Sequence, residues 1–545
     1  MIRNEFKEKR EYDIIIIGGG ITGASVAYEA ASRGFSVALL ERDDYGSKTS
    51  AATSKLIHGG LRYLANMEFG LVRESLRERR ILENIAPNFV YPIANMIVSD
   101  RQSLKTRKNI LKIGMILYDI LSFDKRWTWD KSKKLPCHSM LSREETIKKE
   151  PALEHENLTG SLIYYDCASI SPERLTLAFI KSAQGAGADS ANYMEVTGFI
   201  KNGDSVEGVS VTDKIKNRKL EIKGKITINC AGPWADRVLS LSANSANGEV
   251  LRRSEGIHII TKGIVNTHLV TTVTPSGRHI FIIPWRGHSI IGTTDKEYIG
   301  DPDDWRITKE SINELITDLN ASFGGHIQIS YDEVLFCYGG LRPLVEDQTE
   351  SVYQTSRKYE IYDNEIDGLN RLITVEGGKY TTSRNLAEQV MILVSKKMNE
   401  KKVKSITAKD YLKGCEIEDM NAFFAHARDK YKLMTDEKTI DYLAGIYGTE
   451  LDALMAIAMK DKKLLQPLNS NGDILAQVVY AAKHESACTL SDIVFRRTGI
   501  GTLGNPGKKS IKLAAETAGS ILKWDADRIK KEIKDAEKLL QIPVK

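Results

Sequence analysis

Near the N-terminus, residues 12–42 read YDIIIIGGGITGASVAYEAASRGFSVALLER, and this stretch leaves little freedom of fold. Four consecutive isoleucines run into three glycines, so they read as a strand buried on both faces, as in a parallel sheet. Small residues at helical spacing follow, with a glycine stop at Gly34. FSVALLER is then a second strand. Strand, helix and strand within about 30 residues form the βαβ unit of a doubly wound α/β fold.

Gly18, Gly20 and Gly23 stand in G-x-G-x-x-G register, directly after the first strand and at the start of the helix. The first glycine permits the tight turn, the second lets a pyrophosphate approach the backbone, and the third lets helix and strand pack closely. The helix N-terminus then offers free N–H groups and a favourable dipole to phosphates. Glu41 ends the second strand, eighteen residues after Gly23, where a carboxylate can accept hydrogen bonds from a ribose diol and would repel a 2′-phosphate. The motif predicts a dinucleotide site without separating FAD from NAD. Its position at the extreme N-terminus, with a sheet domain inserted later, favours FAD.

A chain of 545 residues is long enough for two or three domains. A formal net charge of +5 is mild; it gives no ground for nucleic-acid binding and suits an anionic substrate or an anionic membrane surface. The six cysteines form no CxxC pair, which argues against structural zinc and a disulfide framework and fits a reducing compartment. Histidines and cysteines show no ligand spacing, so no metal site is expected. The apolar run after MIRNEFKEKREYD is no signal peptide, because acids are mixed with the bases and glycines interrupt it. No run approaches the ~20 apolar residues of a bilayer span. The expected location is cytoplasmic.

Further along, LVRESLRERRILENIA is a long helix up to Pro87, and an apolar run meets a small-residue turn in KITINCAGPWAD. Apolar alternation between Leu251 and Asp295 predicts an antiparallel sheet on the substrate side. RLITVEGGKYTTSRNLAEQVMILV returns to strand, glycine turn and helix, and beyond about Glu400 the pattern is helical to the end. The expected domains are a discontinuous nucleotide domain (1–95, 150–235 and 335–395), an inserted substrate-binding or cap domain (96–149 and 236–334) and a C-terminal helical domain (400–545).

Two arginines follow Gly-Gly-Leu: Arg62 in GGLRYL and Arg342 in GGLRPL; a third, Arg357, stands in QTSRKY. Arginine offers a permanently charged planar fork of donors to a phosphate. A single arginine is more often a surface ion pair; the repeated GGLR is harder to read that way. Histidine is the residue best suited to take a hydroxyl proton near neutral pH. His258, in EGIHII, has apolar neighbours and reads by itself as a satisfied core histidine. His58, in LIHGG, is the second candidate, near the cofactor ring or fixing its loop. Lys379, in EGGKYTT, could stabilise an anionic reduced flavin or bind substrate phosphate.

In order, IGGGITGASVAYEAASRG, SKLIHGGLRYL, NCAGPWAD, IPWRGHSIIGTTD, GGLRPL and VEGGKYTTSR resemble the motifs of the FAD-dependent, respiratory glycerol-3-phosphate dehydrogenases, and the likeness extends through HESACTLSDIVFRRTG. The resemblance implies a Rossmann-like FAD domain with an inserted antiparallel-sheet substrate domain and a C-terminal helical domain. It implies oxidation of sn-glycerol 3-phosphate to dihydroxyacetone phosphate, by hydride transfer from C2 to flavin N5. It also implies that Arg62, Arg342 and Arg357 contact substrate, with Tyr63 and Lys379 beside them, and it raises His258 to a substrate-pocket residue. Arg342, His258 and Arg62 are the catalytic candidates, and the proton goes either to His258 or to an arginine–water arrangement. On the FAD side it implies Ser54, Lys55, His58, Gly59, Gly232, Gly378 and Lys379 in addition to Gly18, Gly20, Gly23 and Glu41. Three positions depart from the family pattern: Ser25 and Glu29, where glycine and aspartate are usual, and Ser383, where tyrosine is usual.

Electrons from reduced flavin go to membrane quinone in a dehydrogenase or to O2, giving H2O2, in an oxidase. KTRKNILKIGMILYDILSFDKRW, 105–127, clusters apolar residues between basic ends, the composition of a helix lying on an anionic membrane surface. A buried helix with solvated ends has the same composition; the resemblance favours peripheral attachment to the inner face of the cell membrane, with quinone as acceptor. The competing readings are an amino- or hydroxy-acid oxidase of the same fold and a flavin-binding module without turnover. Homodimer contacts are the modest expectation for the C-terminal helices.

Overall fold

The computed structural model describes residues 3–6, 10–100, 108–154, 156–242, 251–274, 277–323, 327–344, 359–400 and 403–544; Arg62, Ala65, Asp100, Lys108, Asn109 and Ile110 are described by their backbone alone. Strand β1 (Glu11–Ile17) carries the four isoleucines, all buried. Each contributes roughly 1.5–3 kcal/mol relative to an exposed side chain. Helix α1 (Ile21–Ser32) leads to β2 (Val37–Leu40), which pairs parallel with β1. On its other side β1 pairs parallel with Arg218–Asn229, which in turn pairs parallel with Leu372–Gly377. Three stretches remote in sequence therefore form one sheet, completed by Tyr359–Asp363, Asp189–Ala191 and the hairpin Met194–Asn202/Ser205–Asp213. Helix α1 packs between the helices Pro172–Gly185 and Ser383–Lys397, which explains why nearly all its residues are buried and why half of them are glycine, alanine or serine at buried positions.

A second sheet of ten strands is largely antiparallel. Its centre is the alternating region seen in the sequence: Arg252–Lys262, Leu269–Val273, His279–Trp285 and His288–Gly292. The long pair Val90–Asp100/Leu158–Ser169 extends it, and Phe336–Leu344 pairs along Arg252–Lys262. The expected nucleotide domain includes 150–235 and 335–395. These ranges cut across the second sheet, because Leu158–Ser169 and Phe336–Leu344 pair with strands of that sheet. Strand pairing over such separations is set by register in three dimensions, not by local pattern.

From Met420 onward the elements are helices, and among the described residues no strand follows Leu372–Gly377. The helices at 475–540 bury Ile493, Val494, Ile511 and Leu540 against Ile260, Ile283, Trp285 and Phe336 of the second sheet. All six cysteines are free thiols. Among the described residues no helix is long and apolar enough to cross a membrane, and no group of metal-ligating side chains comes together.

Candidate active site

A cavity of about 470 Å³ runs between the glycine turn and the second sheet. Gly18, Gly20, Glu41 and Gly232 line it from the first sheet, and so do Ser54, His58, Tyr63, Arg342, Gly378 and Lys379 from elsewhere in the chain. Gly23 does not line it. A Cβ there would lie 1.9 Å from the carbonyl oxygen of Gly18, so its absence is what seats α1 against the turn after β1. The N-terminus of α1 has no side-chain cap at Gly20; the Ile21 N–H donates to Ser50 Oγ at 2.8 Å. Glu41 is held by two backbone donors, the Gly19 N–H to Oε2 at 2.6 Å and the Asp43 N–H to Oε1 at 2.7 Å. Burial raises its pKa, and these two N–H groups oppose the rise. Each oxygen keeps a lone pair for a ribose hydroxyl. A turn open to close backbone approach, a helix start whose N-cap residue Gly20 carries no side chain, and a fixed carboxylate together fit the pyrophosphate and ribose of a dinucleotide.

The segment SKLIHGGLRYL faces two ways. Ser54, His58 and Tyr63 line the cavity. Lys55 turns inward, at φ +55, and its Nζ donates to Glu173 Oε1 at 2.9 Å while lying over the Trp285 ring. Lys55 is therefore not placed on the cavity. Leu56 and Ile57 pair antiparallel with Ala168 and Cys167, which fixes this alternation. Gly59 likewise abuts Leu76 and Tyr118, not the cavity. The His58 Nδ1 accepts the Gly60 N–H at 3.1 Å. Tyr63 carries the Lys379 ammonium 3.9 Å above its ring, and Lys379 Nζ also donates to Ser75 Oγ at 3.0 Å. The side chain of Arg62 and the whole of Arg357 lie outside the described residues.

Arg342 reaches the cavity along the second sheet. Its Nη2 donates to Thr293 Oγ1 at 2.7 Å, and its Nη1 to the Thr294 carbonyl and Asp295 Oδ1 at 3.3 and 3.2 Å. His258 is 1% exposed and does not itself line the cavity. Its Nε2 is 2.8 Å from Ser54 Oγ, its ring stacks on Tyr338 at 4.9 Å, and its Nδ1 has no partner among the described residues. Burial, helped by the Arg342 and Lys55 charges, holds its pKa well below the usual histidine range. The ring is therefore uncharged near neutral pH, with Ser54 between it and the cavity.

Several cavity residues carried no recognised signal in the sequence. Ser50 caps the N-terminus of α1, Met194 and Val196 form a wall, and Trp234 stacks under Arg42 and Lys48 at 5.3 and 5.7 Å. Trp234 sits inside the NCAGPWAD segment and could have been singled out there. Two of the departures noted above touch each other: Ser25 Oγ donates to Ser383 Oγ at 3.1 Å, both buried, where α1 meets the helix Ser383–Lys397. Glu29, the third, pairs with Arg33 and accepts from Ser405 and Thr407.

Residues 13–378 match the family described as FAD dependent oxidoreductase, and residues 405–529 match the C-terminal domain of alpha-glycerophosphate oxidase. The glycerol-3-phosphate dehydrogenase of Synechocystis sp. is 34% identical over 536 residues, covering 96% of this chain and 95% of its own. The aerobic glycerol-3-phosphate dehydrogenase of Staphylococcus aureus is 33% identical over 508 residues, covering 90% and 87%. The solved structure of the glycerol-3-phosphate dehydrogenase from Bacillus halodurans complexed with FAD superposes with a TM-score of 0.78 at 27% identity, covering 99% of this chain and 96% of that one.

Proposed function

The chain belongs to the FAD dependent oxidoreductase family, and we infer from its near full-length likeness to glycerol-3-phosphate dehydrogenases that it oxidises sn-glycerol 3-phosphate to dihydroxyacetone phosphate. The observation that carries this reading is a single cavity lined both by the dinucleotide cradle and by the cations Arg342 and Lys379 beyond it. FAD, when bound, supplies the acceptor for the hydride leaving C2. Gly18, Gly20 and the N-terminus of α1 would hold its pyrophosphate, and Glu41 its ribose.

The remaining roles belong to this chain's side chains. Arg342, its fork fixed by Thr293 and Asp295, presents a positioned positive charge to the dianionic substrate. Tyr63 and Lys379 border the same space, and Arg62 and Arg357 stay as phosphate ligands on the strength of the sequence motifs. The hydroxyl proton leaves through Ser54 Oγ toward the neutral His258 behind it. Lys55, tied to Glu173, holds the loop and has no part in binding.

Membrane quinone is the proposed electron acceptor and the inner face of the cell membrane the proposed location. The helix Lys108–Leu121 supports this. It buries Met115 and Tyr118 on one side and exposes Ile113, Ile116 and Ile120 at helical spacing; Phe123 and Trp127, just after the helix, are exposed too, with the exposed Lys112 and Arg126 nearby. An apolar stripe with basic neighbours is the surface of a helix that lies in an anionic interface.

The test is anaerobic mixing of the holoenzyme with sn-glycerol 3-phosphate while the flavin spectrum is recorded. Bleaching of the oxidised band supports the reading. Bound flavin that stays oxidised overturns the substrate. Reoxidation by a soluble quinone faster than by air supports the dehydrogenase reading, and the reverse order makes the protein an oxidase.

A further inference from the structure

The segment HESACTLSDIVFRRTG, 484–499, takes no part in the site described above, yet it is bonded to the back of that site. Asp44 is the centre of the contact. It follows the cavity residues Glu41, Arg42 and Asp43, but its side chain is buried away from the cavity. Arg497 donates to it twice, from Nη1 at 2.8 Å and Nη2 at 2.7 Å, and Arg496 donates from Nε at 2.5 Å. Arg496 Nη2 also donates to Asp492 Oδ1 at 2.7 Å, and the Tyr193 hydroxyl reaches the same oxygen at 2.7 Å. Tyr193 precedes the cavity wall Met194–Val196, and its N–H donates to the Asp43 carbonyl at 2.8 Å. Asn192 closes the group, donating to Asp44 Oδ1 and to the Ser486 carbonyl, both at 2.9 Å.

Two segments flanking the nucleotide half of the cavity, the loop 41–50 and the turn 192–193 that leads into the strand Met194–Asn202, are thus pinned to one short C-terminal segment. The pins are buried charges, which a fold tolerates only where each is paired and hydrogen-bonded. Here two carboxylates meet two guanidinium groups. Ile493–Arg497 is a π-helical turn, an arrangement frequent at functional sites.

We propose that Arg496 and Arg497 are positioning residues through which the C-terminal helical region sets the hold on FAD, acting by way of Asp44 and Tyr193 on the two segments that grip the nucleotide. The proposal rests on the reading of the cavity as the FAD site. It assigns this region a task in cofactor retention, with no contact to substrate.

The experiment follows FAD release from the holoenzyme, by the gain in flavin fluorescence after dilution. Asp44→Asn removes the charge without changing shape. Arg496→Gln is the milder variant, since its side chain is 12% exposed against 1% for Arg497. Arg497→Lys keeps the charge with fewer donors. Arg286→Gln cuts a different buried pair, Arg286–Asp473 at 3.0 Å, which ties the helical region to the second sheet away from these segments. The expected result is release at least tenfold faster in Asp44→Asn and Arg496→Gln and intermediate in Arg497→Lys. Arg286→Gln stays within twofold of the parent although it melts earlier. With FAD in excess, KM for sn-glycerol 3-phosphate is unchanged throughout. Unaltered release in Asp44→Asn and Arg496→Gln overturns the proposal, as does equally fast release in Arg286→Gln. A parent protein that retains no FAD overturns this proposal together with the reading of the cavity beneath it, whereas a parent that binds FAD beside variants that bind it equally well overturns this one alone.

Discussion

The guanidinium of Arg342 occupies the space that a side chain on Gly256 would fill: a Cβ built there would lie 1.8 Å from Nη2. The two residues sit on paired antiparallel strands, with Gly256 opposite Gly340 and His258 opposite Tyr338. The missing side chain opens a slot in which a large cation lies flat on the sheet, close enough to His258 to depress its basicity.

Gly256→Ala therefore displaces Arg342 without touching the cofactor loops. Loss of a charged hydrogen-bonding group in a site costs about 1.5–3 kcal/mol, so kcat/KM for sn-glycerol 3-phosphate falls roughly 10- to 100-fold, with flavin still bound. Arg342→Ala falls by a similar factor, and the double variant is little worse than either alone. Steady-state kinetics on the three proteins check this, and fully additive losses would count against the slot.

Ser54→Ala leaves the buried Nε2 of His258 without its hydrogen-bond partner. The expected cost is about 1–3 kcal/mol of stability, read by urea denaturation, with a drop in kcat and retention of FAD. His258 also makes stability depend on pH. Its folded pKa lies well below the 6.5 of an exposed imidazole, so the unfolded chain binds the extra proton first and stability falls as pH drops below about 6.5. At pH 5.5 that loss is at most about 1.4 kcal/mol, and His258→Gln removes this component of the difference between pH 5.5 and 7.5.

Glu83 works in the opposite direction. Burial pushes its carboxyl up to about 7 against the pull of Arg79, Lys133 and the neighbouring Cys167 thiol. The folded state holds its proton where the unfolded chain has lost it, so this group costs stability as pH rises from about 4.5 to 7, and the cost is constant above that. Glu83→Gln is expected to raise stability by up to about 3 kcal/mol at pH 8 and by little at pH 5. Thermal melts at the two pH values distinguish this from a uniform effect.

Ser25 and Ser383 form a pair across α1 and the helix Ser383–Lys397. A tyrosine at 383 needs the volume that Ser25 and its neighbours fill, so Ser383→Tyr alone lowers the melting temperature. Adding Ser25→Gly recovers part of the loss. Equal melting of single and double variants would show that the two positions are independent.

Exchanging Ile116 and Ile120 for glutamate places two charges in the exposed stripe of Lys108–Leu121. Sedimentation with vesicles containing anionic lipid is expected to fall at least tenfold in affinity, while anaerobic flavin reduction by sn-glycerol 3-phosphate stays at the parent rate. Unchanged sedimentation would remove the stripe from the membrane contact.

What could be read from the chain alone was local. The βαβ unit with its three glycines and Glu41 declares itself because its turn, helix start and close approaches involve residues within about thirty positions. Alternation between Leu251 and Asp295 marks a sheet for the same reason: side-chain direction follows a period of two along each strand. Gly-Gly-Leu-Arg at 62 and 342 drew attention to the cations, and Arg342 does line the cavity.

Only the tertiary structure decided which way individual side chains face and what they meet. Lys55 and His58 lie three residues apart in one motif, yet one is turned into an ion pair with Glu173 and the other onto the cavity, because pairing with Cys167 and Ala168 and a positive φ at Lys55 set the direction. His258 stands behind Ser54, 204 residues away, and Arg497 reaches Asp44 across 453. Contacts of that span depend on strand register and helix packing summed over the whole core. No local pattern encodes them, since hydrophobic periodicity records that a face is buried and not what it is buried against.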